Sequence, residues 1–102
     1  MPRVLFVEDD PEIGQLISSW LARHDMEVLL EPRGDLALAR VLAEQPDLVL
    51  LDLMLPGVDG ATICRDARAE GVTTPIIVLT ARVALGIETE DAAGKYTNIG
   101  LM

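Results

Sequence analysis

Lysine is almost missing from this sequence. Lys95 is the only one, and the seven arginines are scattered rather than clustered. Eight basic residues stand against seventeen acidic ones, for a formal net charge of -9. A surface for a nucleic-acid backbone needs Lys and Arg gathered on one face, so no direct nucleic-acid binding is expected. Cysteine is nearly missing too. Cys64 stands alone, which rules out an internal disulfide and fits a reducing compartment. Long apolar runs are lacking, and the start has neither the charged nor the apolar block of a signal peptide. No membrane association and a cytoplasmic location are therefore expected. Repeats, linkers and low-complexity stretches are lacking as well. What remains is 102 residues, half of them apolar, enough for one domain with a single core and too apolar for a disordered chain.

The apolar residues fall into an alternating pattern. Arg3 to Val7 is a short buried strand, followed by Glu8-Asp9-Asp10. Asp10 and Pro11 suit the N-cap and first turn of a helix. Ile13, Leu16, Ile17, Trp20 and Leu21 then recur at helical spacing, which predicts one buried stripe up to His24 and Asp25. Met26 to Leu30 reads as a second strand. Gly34-Asp35 introduces a second helix to about Gln45, with Leu38, Val41 and Leu42 inward. Leu48 to Leu51 is a third strand, apolar throughout and ending on Asp52. A turn containing Pro56, Gly57 and Gly60 leads to a helix from Ala61 to Glu70, with Ile63 and Ala67 inward and Gly71 as its stop. Pro75 to Thr80 is a fourth strand. Leu85 to Ala93 reads as a short helix and Tyr96 to Leu101 as a poor last strand. Strands alternating with helices indicate a parallel α/β sheet with right-handed crossovers.

Three strand ends carry chemical groups: Glu8 and Asp9 on the first, Asp52 on the third, Thr80 on the fourth. Open α/β sheets hold ligands at carboxyl strand ends where strand order reverses. Carboxylates gathered there repel one another, and a divalent cation removes the repulsion. Oxygen-only ligands open to water suit Mg²⁺, with Mn²⁺ also possible. An Asp beside such an ion can attack a phosphoryl group, while a Thr hydroxyl donates to one of its oxygens. Each residue taken singly also has a plain role: an acidic first turn for Glu8-Asp9-Asp10, a strand terminus for Thr80. His24, Trp20 and Cys64 read as a helix-end His, a core aromatic and a small helical residue.

The stretches Val4-Leu5-Phe6-Val7-Glu8-Asp9-Asp10, Asp47 through Gly60, and Pro75 through Arg82 together resemble the receiver domain of bacterial response regulators. With the helices between them they span about four fifths of the chain. The resemblance implies a doubly wound, flavodoxin-like sheet of order 2-1-3-4-5 with helices on both faces, as a single receiver-like domain over residues 1–102. It implies that Asp52 accepts phosphate from a sensor histidine kinase, and that Asp9, Asp52 and the main-chain carbonyl of Met54 hold Mg²⁺. It further implies that Glu8 acts on the metal through water and that Thr80 and Tyr96 form the switch. Such a protein signals by protein–protein contact and is not a turnover enzyme.

The last stretch, residues 83–102, departs from the family pattern. Ile99 stands where the family carries a Lys and Gly100 where it carries a Pro. The last strand is therefore expected to be degenerate and a fifth helix absent. The face left open between the first helix and the fourth strand then predicts a homodimer. An alternative is a truncated receiver that no longer switches and serves as a constitutive interaction module. A small phosphatase-like hydrolase of the same topology is a third reading, which lacks a separate general acid near Asp52.

Overall fold

The computed structural model describes residues 1–52, 55–79 and 100–101. Strands β1 (Arg3–Val7), β2 (Glu27–Glu31), β3 (Leu48–Asp52) and β4 (Ile76–Leu79) pair in parallel. A two-residue strand β5 (Gly100–Leu101) completes the order β2-β1-β3-β4-β5. Helices α1 (Pro11–Ala22), α2 (Ala37–Glu44) and α3 (Gly60–Ala69) fill the connections between the four parallel strands. A 3-10 turn, Gly34–Leu36, leads into α2. The order is the expected one, with one difference in direction. β5 runs antiparallel to β4, pairing Ile77 with Leu101 and Val78 with Gly100. A strand that short needs no full crossover register, and antiparallel pairing is slightly the more stable per residue. The expected helix at 85–93, together with Lys95, Tyr96 and Ile99, lies outside the described residues.

Period-two alternation divides each strand between the two faces of the sheet. Leu5, Val7, Val49, Leu51, Ile76 and Val78 form one core with Ala37 and Val41 of α2 and Ile63, Cys64 and Ala67 of α3. Helices α2 and α3 cover that face, with Leu29 at its edge only partly buried. Burying so many aliphatic side chains, at about 25 cal/mol per Å² of apolar surface, is the main stabilising term of the fold. Burial also pushes the Cys64 thiol above its ordinary pKa, so it behaves as a small apolar residue.

The other face carries α1, and among the described residues its coverage is incomplete. Of the predicted stripe only Leu21 is buried; Ile13, Leu16 and Trp20 remain 42, 68 and 51 % exposed. An apolar cavity of about 510 Å³ opens between Leu16, Ile17, Trp20 and Leu21 of α1 and Leu50, Ile77 and Leu79 of the sheet. The stripe has the right spacing, but among the described residues no second helix stands beside α1 to close it. Leu42 is a smaller departure of the same kind, 44 % exposed, while Val41 and Leu38 pack inward as expected.

Helix ends follow local chemistry. The Asp10 side chain accepts from the amides of Glu12 (2.9 Å) and Ile13 (3.3 Å), with Pro11 next at the first helical position. Gln45 ends α2 in the left-handed region at φ 48°, directly before Pro46. Gly71 takes φ 86° after α3, a conformation that costs glycine nothing.

Candidate functional site

The site grows out of the ends of β1 and β3. β1 lies between β2 and β3, so the chain leaves β1 toward one side and returns on the other. Residues just past Val7 and Leu51 therefore face one crevice. Glu8, Asp9 and Asp52 meet there, each offering a carboxylate oxygen, and these oxygens all lie within 4.8 Å of one another. Glu8 is buried, Asp52 half-buried and Asp9 exposed. The predicted grouping of Glu8, Asp9 and Asp52 is thus brought together by the fold. Met54, Thr80 and Tyr96 lie outside the described residues.

Glu8 is the most constrained member. Its amide donates to the Glu31 carbonyl (3.1 Å) and its Oε2 accepts from the Asp10 amide (3.1 Å). Burial pushes the Glu8 carboxyl above the ordinary value of 4.5. The Asp10 amide works against that shift, and the charges of Asp52, Asp9 and Asp10 add to it. A pocket that raises the pKa of its own carboxylate is one that a cation would relieve. All donors are oxygens, two of the three residues are open to water, and the set is smaller than a full coordination shell. These properties suit a hard divalent ion that keeps part of its hydration.

Sequence reasoning missed a second buried carboxylate. Glu31, the last residue of β2, is 5 % exposed and pairs with Arg40 of α2 at 3.0 Å. Its other oxygen accepts from the Arg33 amide at 2.9 Å. The available signal was alternation: Glu31 follows Leu29 at a spacing of two and so falls on the face that α2 covers.

The profile of the response regulator receiver domain matches residues 4–96. The chain belongs to that family. Transcriptional regulatory protein RstA of Escherichia coli K12 is 60% identical over 80 residues, 78% of this chain and 33% of the relative. Transcriptional regulatory protein BaeR of an E. coli O6:H1 strain is 45% identical over 82 residues, 80% of this chain and 34% of the relative. The chain thus spans about a third of the length of these relatives. Among solved structures, the BeF3-activated receiver domain of Klebsiella pneumoniae RstA superposes with a TM-score of 0.73 at 56% identity, covering 78% of this chain and 67% of that one. Response regulator TrrA of Thermotoga maritima, solved with Mg²⁺ and BeF, gives 0.75 at 33% identity over 79% of this chain and 70% of that one. This receiver domain is a phosphorelay signalling module by family, and its acidic pocket is of the kind through which receivers bind Mg²⁺.

Proposed function

We propose that Asp52 is the phosphoacceptor of this receiver domain and that Glu8, Asp9, Asp52 and the Met54 carbonyl hold Mg²⁺, Glu8 through a water. The observation that carries this is the convergence of three carboxylates from two strand ends within 4.8 Å. In the reaction an Asp52 oxygen attacks phosphorus. The new O–P bond replaces the P–N bond of a phosphohistidine on a sensor histidine kinase, and the leaving imidazole takes up a proton. Bound Mg²⁺ would neutralise phosphoryl oxygens and the crowded carboxylates at once. Thr80 then contacts the phosphoryl group and, with Tyr96, passes the change to a protein partner. We place the domain in the cytoplasm with the kinase's catalytic parts. Asp52 is consumed and regenerated in this scheme and turns over no external substrate.

The test is intact-mass measurement after incubation with acetyl phosphate and Mg²⁺. A gain of one phosphoryl group is expected for the wild type and none for Asp52→Asn or with chelator present. An unchanged wild-type mass under these conditions would remove the proposal.

The open face of α1 supports a second proposal, self-association. The same patch supplies a ridge (Ile13, Leu16, Trp20) and the cavity beside it. A two-fold axis lets each copy seat its ridge against the other's cavity, so one contact covers both.

A further inference from the structure

We propose that the buried Glu31–Arg40 pair is a positioning device for the carboxylate site, holding both of its walls from the end of β2. The inference rests on the assignment of Glu8, Asp9 and Asp52 as a cation site. Glu31 is joined to three elements at once. Its carbonyl receives the Glu8 amide at 3.1 Å, which fixes the point where β1 delivers Glu8 and Asp9. Its Oε2 receives the Arg33 amide at 2.9 Å, which folds the chain into the Gly34 turn. Gly34 in turn abuts the loop that follows Asp52: a Cβ built there would stand 3.1 Å from Leu55 Cδ1 and 3.2 Å from the Val58 Cβ. One residue therefore braces the β1 end on one side and the β3 loop on the other.

The brace has the same form as the one inside the site. Glu8 bonds the amide two residues on, at Asp10, and Glu31 bonds the amide two residues on, at Arg33. They differ in charge compensation. Glu8 faces Asp52, Asp9 and Asp10, whereas Glu31 Oε1 receives Arg40 Nη1 at 3.0 Å. Glu44 Oε2 stands 3.7 Å from Arg40 Nε, an ion pair without a hydrogen bond. A buried carboxylate without a partner either draws a proton or moves toward water. Arg40 thus holds the Glu31 side chain in place, and Glu31 keeps the strand ends in register.

The sign of one substitution separates positioning from plain electrostatics. Arg40→Met removes a positive charge, so electrostatics alone leaves Mg²⁺ binding as tight as in the wild type or tighter. Positioning makes it bind more weakly. Calorimetric titration of the full chain with Mg²⁺ should give a dissociation constant at least threefold higher for Arg40→Met, measured below its melting transition. Arg40→Lys, which keeps the charge but not the guanidinium that reaches both Glu31 and Glu44, should fall between Arg40→Met and wild type, and it serves if the Met variant does not fold. Hydrogen exchange provides a readout independent of metal. The Glu8 and Arg33 amides should exchange at least tenfold faster in either variant, while amides within β3 keep their wild-type rates. Mg²⁺ affinity equal to or tighter than wild type in a folded variant overturns the inference. Unchanged Glu8 and Arg33 exchange overturns it too. A wild-type chain that binds no Mg²⁺ refutes the cation-site assignment instead, and exchange at Glu8 then decides the positioning role alone.

Discussion

Glu8 combines a buried position with neighbours of its own sign, and that sets a pH signature. Its carboxyl is raised above 4.5, chiefly by burial and then by the Asp52, Asp9 and Asp10 charges. A carboxyl raised in the fold contributes stability that is present in full below 4.5 and lost as pH rises through the folded value. The metal-free protein should therefore lose part of its stability across that window. Bound Mg²⁺, reached by Glu8 through a water, favours the ionised carboxylate, so its stabilising effect should grow as pH rises and level off once Glu8 is ionised. At neutral pH, a hundredfold excess of Mg²⁺ over its dissociation constant corresponds to about 2.7 kcal/mol. Thermal melts from pH 4 to 8, with and without Mg²⁺, measure both trends. Glu8→Gln should flatten the metal-free curve. Mg²⁺ shifts of equal size at every pH would contradict the argument. The grouping of Glu8, Asp9 and Asp52 was legible in the sequence, because the Glu8-Asp9 pair and Asp52 each directly follow an apolar run. Glu31 was not, because a charged residue at a strand end reads as punctuation, and only the position of α2 reveals that it is buried.

Among the elements, α1 depends most clearly on a single residue outside it. Asp10 satisfies two of the amides that a helix start leaves without partners. Asp10→Ala should cost about 1 kcal/mol, and Asp10→Asn, which keeps the accepting oxygen, much less. In a domain of this size that corresponds to about 4–8 °C in melting temperature. Equal losses in the two variants would shift the explanation from capping to charge. Strands β1, β3 and β4 could be recognised from sequence because each contains a short continuous apolar run, Val4 to Val7, Leu48 to Leu51 and Ile76 to Leu79. The burial of α1 could not. Periodicity says which side of a helix is apolar, and only tertiary neighbours decide whether that side is covered. The direction of β5 was equally hidden, since two paired residues carry no pattern.

At the scale of the whole molecule, an apolar face left open among the described residues stands against a strongly acidic composition. If two copies share that face, light scattering behind a sizing column should give twice 11.0 kDa at micromolar concentration. Leu16→Glu, at the most exposed point of the ridge, should return the mass to that of one chain. A wild-type mass of 11.0 kDa throughout that range, with a cooperative melt, ends the dimer proposal. Each copy carries a formal charge of -9 at pH 7, so like charge opposes any contact. Added salt should therefore tighten association by screening, the reverse of its effect on an ion-paired interface. The same opposition governs colloidal behaviour. Near the isoelectric point of about 4.3 the repulsion vanishes while the Ile13–Leu16–Trp20 patch stays as adhesive as before. Mild acid should then turn the protein turbid before it unfolds, so a handling buffer would have to stay well above that pH.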